Sequence, residues 1–333
     1  MRAVVLVGGF GTRLRPLTNN TPKPMLPVGH HSIIESVVSQ LARGGISEVV
    51  LALGFRPEPF VAAFPDGTCA GIPLTYAVEP EPLDTAGAIR FAAMAAGIDG
   101  TFVVVNGDVI CDVDVAALVA FHHSSGAEGT LHLTAVENPS AFGVVVLDGS
   151  GVVQRFVEKP APGTETSNLV NAGTYVLEPS VIERIPDGRK VSVEREVFPL
   201  MVADRTLFGL ATDDYWLDTG QPHLYLRANL DLLDGRRQHE RCAAVAPGAT
   251  VAPSATIRHS VVGEGAVVGD GALVEDSVLL PGASVGDGAR VRDSIVAGSV
   301  GAWASLLSCV VGSTATVAEG LELTGARVPD PTA

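Results

Sequence analysis

The sequence has no long apolar run, few cysteines and few basic side chains. Each of these shortages argues against a particular class of protein. No stretch of about 18 consecutive apolar residues occurs, so the pattern of a membrane-spanning helix is missing. Met1 leads directly into a strand-like run, without the hydrophobic region of a secretory signal. The four cysteines are scattered without metal-ligand spacing, as is typical of a reducing cytosol. We therefore expect a cytoplasmic protein without a membrane partner.

The shortage of basic residues excludes another class. Lysine and arginine total 22 against 37 acidic residues, and the net charge of −15 argues against a nucleic-acid surface. The same charge repels a phosphate-rich ligand, which would need local cations or a divalent metal ion to bind. The length of 333 residues is sufficient for two domains, each with its own core.

A strand, a glycine turn and a cationic loop follow one another in residues 3–27. Residues 3–7 are apolar and predict a buried parallel strand. The glycines that follow permit positive φ and turn backbone N–H groups toward an anion. Four prolines then stiffen a loop that carries Arg13, Arg15 and Lys23. This order of elements predicts a polyphosphate site.

The glycine spacing fits neither the P-loop nor the dinucleotide-binding pattern. Gly-Gly-x-Gly-Thr-Arg-Leu-x-Pro-Leu-Thr, followed by Pro-Lys-Pro, instead resembles the signature loop of sugar-1-phosphate nucleotidyltransferases. Residues 106–112, 139–146 and 192–199 are similar to the mannose-1-phosphate guanylyltransferase (GDP-mannose pyrophosphorylase) branch, in its short form with a C-terminal left-handed β-helix. The resemblance spans nearly the whole chain.

Strand and helix patterns alternate through the first part of the chain. Strands are predicted at 48–53, 74–78 and 102–106, and helices at 33–43, 85–96, 115–123, 192–201 and 221–234. This alternation predicts an α/β fold with a Rossmann-like, mixed and mostly parallel sheet. Ligands of such sheets bind at the carboxyl ends of the strands, where the motif residues fall.

Glu79 and Asp84 lie in an acidic loop between a predicted strand and a predicted helix. By themselves they favour a helix cap at Asp84 and solvated acids. The resemblance implies that this loop holds the nucleobase, where thymidylyl and uridylyl relatives place a glutamine. A carboxylate only accepts hydrogen bonds and guanine offers two adjacent donors, so we expect Glu79 to select GTP. The family usually has glycine where this chain has Asp84.

The resemblance also implies which residues act. Asp108 and Asp218, each after an apolar run, correspond to the family's two Mg²⁺ ligands. Arg13 steadies the departing pyrophosphate, and Lys23 bridges the α-phosphate and the sugar phosphate. Nucleotide contacts are expected at Leu6, Gly8, Gly9, Gly11, Thr12, Glu79, Thr85, Ala86, Gly87, Asn106 and Gly107. Gly143, Glu158, Lys159 and Asn171 are expected to bind mannose-1-phosphate.

The sequence changes character near residue 239, where a repeat of about 17 residues begins. Val274 and Val291 follow Ile257 at intervals of 17, and Leu307 continues the series at an interval of 16. Aliphatic residues recur at steps of five or six within each unit. We therefore predict a catalytic domain over residues 1–238 and a left-handed parallel β-helix of about five coils over residues 239–333, through which the chain forms a homo-oligomer.

Three alternatives remain open from the sequence. A glucose-1-phosphate thymidylyl- or uridylyltransferase would use the same scaffold. A catalytically silent regulatory paralogue would bind a nucleotide sugar, although the charged site residues are all present. Hexapeptide repeats also occur in acyltransferases, which need a catalytic histidine, and His259 is the one histidine between residues 245 and 323.

Overall fold

A computed structural model describes residues 1–9, 11–54 and 57–330. Phe10, inside the glycine-rich stretch, and residues 331–333, at the end of the predicted β-helix domain, lie outside the described residues. The chain forms two compact units, one of residues 1–9 and 35–216 and the other of residues 10–34 and 217–333. The predicted boundary at residue 239 stays a prediction. In the described part of the chain, no helix is long and apolar enough to cross a membrane.

The first unit is built on a mixed sheet with a parallel centre. Strand Arg2–Leu6 pairs in parallel with Phe102–Asn106 on one side and Glu48–Leu53 on the other. Ile72–Val78 extends the parallel part next to Glu48–Leu53. Residues 3–5 are fully buried, and burying a valine side chain contributes about 1.5–3 kcal/mol. The apolar run at the start of the chain therefore occupies the middle of the core.

Antiparallel strands extend this sheet beyond Phe102–Asn106. Leu169–Leu177 pairs with that strand, and the hairpin of Gly143–Leu147 and Val153–Glu158 follows at the edge. The other strands of this unit are Thr68–Cys69, Val109–Cys111, Gly129–Ala135 and Leu207–Thr212. The α-helices between residues 33 and 203 are Ile33–Arg43, Glu58–Ala63, Asp84–Ala95, Val115–Ser125, Ser180–Glu183 and Phe198–Ala203.

The predicted strands at 48–53 and 102–106 and the predicted helix at 33–43 are confirmed to the residue. The predicted helix at 192–201 is instead two elements. A π-helical turn over Val193–Val197 precedes the α-helix Phe198–Ala203, and the Ser192 side chain caps the turn by accepting from the backbone N–H of Arg195. Pro199 has no N–H to donate four residues back, so one continuous α-helix cannot form there.

The second unit ends in three parallel sheets of five short strands each over the described residues, the arrangement of a left-handed β-helix with five coils. Each strand pairs with the strand one coil later, so identical positions stack into columns. One buried column runs through Val262, Leu279, Val296 and Val311. A helix at Pro222–Leu233 precedes the repeat. Stacking buries one continuous core that no single coil could form alone.

The predicted register of the fourth coil is wrong by one residue. Val291 pairs with Leu306, an interval of 15, and not with Leu307. Leu306 is 1% exposed, whereas Leu307 is 43% exposed. The fourth coil is two residues shorter than its predecessors, and side chains alternate between the two faces of a strand, so a slip of one residue exchanges the buried and the exposed leucine.

Candidate active site

The carboxyl ends of the parallel strands carry several predicted nucleotide-binding residues of the first unit. Leu6 is in register with Asn106, and Glu79 directly follows the strand Ile72–Val78. A Cβ placed on Gly54 would lie 3.9 Å from both the Glu79 carboxylate and the Cα of Gly8. These two predicted residues therefore lie beside Gly54, which sequence reasoning missed. Its signal is a glycine immediately after the second parallel strand.

Gly107 allows the backbone that follows Asn106 to pass close to the neighbouring strand Arg2–Leu6. Its N–H donates to the carbonyl of Leu6 at 2.8 Å. A Cβ at this position would lie 2.7 Å from Val7 and 2.9 Å from Val5, so any side chain would force the neighbouring strand to move. The close approach places the half-buried Asp108 directly beyond the sheet edge.

Glu79 is buried and already has a backbone partner. Its Oε2 accepts a hydrogen bond from the N–H of Leu83 at 2.9 Å, which closes the 79–83 loop. Burial raises the pKa of Glu79, and the Leu83 N–H acts in the opposite direction. Oε2 is therefore shared with the loop, and the contact of both carboxylate oxygens with guanine stays a prediction.

Asp84 adopts a backbone conformation that favours glycine. Its φ is +62°, and its Oδ1 accepts from the backbone N–H of Thr85 at 2.8 Å. Aspartate enters the left-handed region more readily than most residues because its short polar side chain can bond to the nearby backbone. This conformation gives a physical reason for the glycine that the resembling family has at this position.

The next three residues use their polar groups inside the protein. The hydroxyl of Thr85 donates to Glu194 at 2.8 Å, and the N–H groups of Ala86 and Gly87 donate to the carbonyl of Val191 at 2.9 and 3.3 Å. These bonds hold the start of helix Asp84–Ala95 against residues 191–194, where the π-helical turn begins. The predicted nucleotide contacts of the three residues stay a prediction, and Glu194 is a neighbour that the sequence did not indicate.

Two of the predicted sugar-phosphate residues, Gly143 and Glu158, face one another across the edge hairpin. A Cβ on Gly143 would lie 2.6 Å from the Phe156 ring and 3.0 Å from Oε2 of Glu158, so the glycine leaves room for both side chains. The exposed Lys159 ammonium lies 3.4 Å from Glu158. Burial raises the pKa of Glu158, and the negative charge of Glu194 adds to the effect.

Asn171 is held in a fixed orientation by two hydrogen bonds. Its Nδ2 donates to the hydroxyl of Tyr175 at 2.9 Å, and its Oδ1 accepts from the N–H of Gly173 at 3.0 Å. A Cβ on Gly173 would lie 2.7 Å from Nδ2 of Asn106. The structure thus brings Asn106 and Asn171 to the same glycine. Tyr175 is fully buried, and burial raises its pKa, so the hydroxyl stays protonated.

In the second unit, residues 11–27 form the signature loop, which is tightly ordered by its own contacts. Gly11 has φ of +55° and begins the short turn Thr12–Leu14. The carbonyl of Gly11 accepts from the N–H of Leu14 at 2.9 Å and from the hydroxyl of Thr18 at 2.8 Å. Leu14 is fully buried. The turn therefore presents the side chains of Thr12 and Arg13 to solvent.

Three predicted catalytic residues meet in the second unit. Lys23 is 4% exposed, and its Nζ lies 3.2 Å from Oδ1 of Asp218. The Arg13 guanidinium is 64% exposed and lies 3.9 Å from Oδ2 of Asp218. The N–H of Gly220 donates to Oδ1 of Asp218 at 2.9 Å. The Asp218 carboxylate thus pairs with the buried Lys23 and the exposed Arg13. Both cations can form charge-assisted hydrogen bonds to phosphate oxygens.

The donor atoms of Asp108 and Asp218 fit a Mg²⁺ ion, which prefers carboxylate oxygens supplemented by phosphate oxygens. Asp218 is also paired with Lys23 and Arg13, so a metal ion would share its oxygens with these two cations. Across residues 1–9, 11–54 and 57–330 no group of three or more His, Cys, Asp or Glu residues is arranged to hold a metal ion. Asp108 belongs to the first unit, and its cooperation with Asp218 stays a prediction.

Comparison with known sequences places these elements in a family. The nucleotidyl transferase family model matches residues 2–235, and the model of the GMPPB C-terminal domain matches residues 240–331. The mannose-1-phosphate guanyltransferase of Schizosaccharomyces pombe is 44% identical over 244 residues, 72% of this chain and 66% of that protein. The mannose-1-phosphate guanylyltransferase of Mycobacterium tuberculosis is 44% identical over 262 residues, 74% of this chain and 72% of that protein. The chain thus spans slightly less than two thirds of the Schizosaccharomyces protein.

A solved structure supports the same assignment. The crystal structure of HddC from Yersinia pseudotuberculosis has a TM-score of 0.58 and 26% sequence identity, and the match covers 68% of this chain and 97% of that one. HddC has also been crystallised in complex with GMP-PN, with the same TM-score of 0.58. Family model, curated relatives and solved structure agree, and the chain belongs to the nucleotidyl transferase family, with a GMPPB-type C-terminal domain.

Proposed function

We propose that this chain transfers a guanylyl group from GTP to mannose-1-phosphate, releasing pyrophosphate and forming GDP-mannose. The observation that carries the proposal is the buried Lys23 paired with Asp218 beside the exposed Arg13. This is the constellation that the signature loop predicts for nucleotidyl transfer. The substrates follow from the curated relatives, which are named for mannose-1-phosphate and the guanylyl group.

The reaction is an in-line displacement at the α-phosphorus of GTP. An oxygen of the sugar phosphate forms the new P–O bond, while the bond to the bridging oxygen of the β-phosphate breaks and pyrophosphate leaves with that electron pair. Lys23 holds the α-phosphate and the incoming sugar phosphate together, and Arg13 stabilises the charge that grows on pyrophosphate. Backbone groups of Gly8, Gly9 and Gly11 cradle the triphosphate. Positioning and charge stabilisation thus carry the catalysis.

Nucleotidyl transferases generally use a divalent metal ion. In this chain Asp108 and Asp218 would hold Mg²⁺. When bound, the ion neutralises phosphate charge, which also offsets the net charge of −15.

The side chains that contact the hexose are already held in a fixed orientation before the sugar binds. Tyr175 and Gly173 fix the side-chain amide of Asn171. Glu158 accepts hydrogen bonds from hydroxyl groups of the sugar, and the exposed ammonium of Lys159 neutralises the sugar phosphate. A preoriented amide and carboxylate lose little entropy on binding, which favours discrimination between hexoses by hydroxyl geometry.

The test of this constellation replaces Arg13 and Asp108 by alanine. Each change removes charge that stabilises the transition state, and we expect turnover to fall at least ~100-fold. Arg15→Ala is the matched control, because Arg15 is an exposed arginine of the same loop. Near-normal rates for Arg13→Ala or Asp108→Ala, or an equal loss in Arg15→Ala, would reject the assigned roles.

Glu79→Gln tests how the base is selected. The amide oxygen can still accept from Leu83, so the 79–83 loop is retained, while the second oxygen becomes an NH₂ donor. We expect the preference for GTP over dTTP to decrease. An unchanged ratio of kcat/KM for the two nucleotides would remove Glu79 from base selection.

The acyltransferase alternative has no support from His259. Its Nδ1 lies 2.5 Å from Asp276 and its Nε2 lies 3.1 Å from Asp234, so both ring nitrogens are engaged. The hydrogen bond to Asp276 raises the pKa of His259, and with both ring nitrogens bonded to carboxylates neither is open to a substrate group.

We also propose a homo-oligomer that assembles through the β-helix. Exposed apolar side chains on the repeat, among them the 68% exposed Trp303, support this. A single monomer mass by light scattering at micromolar concentration would count against it. The cytoplasmic location expected from the sequence stays a prediction.

A further inference from the structure

The last coil of the repeat holds the backbone of the signature loop. Arg327 lies in the strand Arg327–Val328, in register with Val310 of the preceding coil. Its Nη1 lies 3.0 Å from the carbonyl oxygen of Arg13 and 3.0 Å from the carbonyl oxygen of Arg15. One guanidinium nitrogen carries two N–H groups and so donates to the carbonyls on both sides of Leu14.

Within residues 11–16, these two carbonyls accept from a donor outside the loop. The carbonyls of Gly11, Thr12, Leu14 and Pro16 accept from N–H groups within the loop. The carbonyls of residues 13 and 15 instead accept from the guanidinium group of Arg327. The guanidinium therefore completes the hydrogen bonding of the turn, which its own backbone cannot do.

A second contact holds the same part of the loop against the preceding coil. A Cβ placed on Gly312 would lie 3.0 Å from the Cβ of Pro16, so the proline rests directly on this glycine. The N–H of Gly312 in turn donates to the carbonyl of Val328 at 2.7 Å. Pro16 and the two carbonyls that Arg327 binds thus contact two neighbouring coils, which are hydrogen-bonded to each other.

We propose that Arg327 is a positioning residue that holds Arg13 in place for the departing pyrophosphate. The inference rests on the proposed function. Arg13 has a mostly exposed side chain, so its location depends on where the backbone of the turn is held. A displacement of about 1 Å at a catalytic group can cost up to ~100-fold in rate. The repeat domain therefore contributes to the chemistry as well as to assembly.

The test compares Arg327→Met with Arg290→Met, which removes an exposed arginine of a middle coil and the same charge. We expect Arg327→Met to lower kcat about 10-fold, with the KM for mannose-1-phosphate unchanged, and Arg327→Lys to restore part of the loss. In the ligand-free chain, amide hydrogen exchange of residues 11–27 should accelerate while exchange in the repeat stays as in Arg290→Met. Gly312→Ala, which presses on Pro16, should accelerate the same amides.

Two results would overturn the inference. One is an Arg327→Met chain whose loop exchange and kcat match those of Arg290→Met. The other is a general acceleration of exchange throughout the repeat, which would make Arg327 a purely structural residue. The exchange experiment needs no substrate, so it still judges the contact if the wild-type chain fails to transfer a guanylyl group. A wild-type chain without guanylyl transfer would reject the proposed function. Unchanged amide exchange of residues 11–27 in Arg327→Met would reject the positioning role of Arg327.

Discussion

Lys23 and Asp218 are 195 residues apart in the sequence, yet their side chains form an ion pair at 3.2 Å. The Lys23 side chain is 5% exposed and that of Asp218 is 21% exposed. Burying a charged lysine without a partner would cost several kcal/mol, and the carboxylate of Asp218 offsets that cost. The pair therefore brings the end of the signature loop and the Asp-Thr-Gly segment together in one unit.

Lys23→Met should lower both stability and turnover. The change leaves Asp218 partly buried without its ammonium, and because Asp218 retains some solvent contact we expect a loss of about 1–3 kcal/mol in the free energy of unfolding. Guanylyl transfer should fall at least ~100-fold. Denaturant unfolding and pyrophosphate release measure the two effects. Lys190→Met removes an exposed lysine and should change neither. A stable, active Lys23→Met chain would contradict both roles.

Asp84 offers a test of backbone strain. At φ of +62° glycine is relaxed, aspartate is tolerated and alanine is strained by about 1–2 kcal/mol. We expect Asp84→Ala to lower the free energy of unfolding by about 1 kcal/mol and Asp84→Gly to preserve or raise it. Urea midpoints of the three chains give the ranking directly. Equal stability of the alanine and glycine variants would show that the helix starts in another conformation.

Gly143→Ala should weaken binding of the sugar phosphate while sparing the nucleotide. The added methyl group meets the Phe156 ring at 2.6 Å and Glu158 at 3.0 Å, so the carboxylate must move. We expect the KM for mannose-1-phosphate to rise about 10-fold, the loss of one hydrogen bond to a charged group. The KM for GTP should stay within about twofold. Gly149→Ala, in an open turn of the same region, is the control. Equal increases in both KM values would contradict the division of roles.

His132 predicts how stability changes with pH. Burial lowers its pKa from 6.5 to about 4, so between these values the unfolded chain binds a proton that the folded chain excludes. The free energy of unfolding should therefore fall as pH drops from 6.5 to 4, by up to about 3 kcal/mol from this residue. His132→Gln should flatten that part of the curve, and His123→Gln, which changes an exposed histidine, should not. Parallel curves for wild type and His132→Gln would refute the assignment.

Local patterns in the sequence determined much of the fold. Apolar runs gave the strands Glu48–Leu53 and Phe102–Asn106, and the repeat gave the five coils. The capping pattern at Ser192 did not predict the π-helical turn before Phe198–Ala203, because Pro199 lacks the N–H that a continuous α-helix needs there. Leu306 was missed because a coil shortened by two residues breaks the period that was being counted.

The site was predicted where motifs are contiguous and was missed where contacts join distant segments. Motifs indicated Lys23 and Asp218 as site residues but not the ion pair between them. The bonds of Glu194 to Thr85 and of Tyr175 to Asn171 likewise depend on how separate elements pack. Arg327 lies in a short strand that resembles every other strand of the repeat. Its contact with the carbonyls of the loop depends on tertiary structure alone.

The most direct test of the account is pyrophosphate release by the purified chain with Mg²⁺, crossing GTP, dTTP, UTP and ATP with mannose-1-phosphate and glucose-1-phosphate. The account predicts turnover confined to GTP with mannose-1-phosphate, and its loss when Mg²⁺ is chelated. A preference for dTTP or UTP with glucose-1-phosphate would retain the family and the mechanism but contradict the proposed substrates and the role of Glu79. No turnover with any pair would contradict the proposed activity and favour a regulatory protein that binds nucleotide sugars.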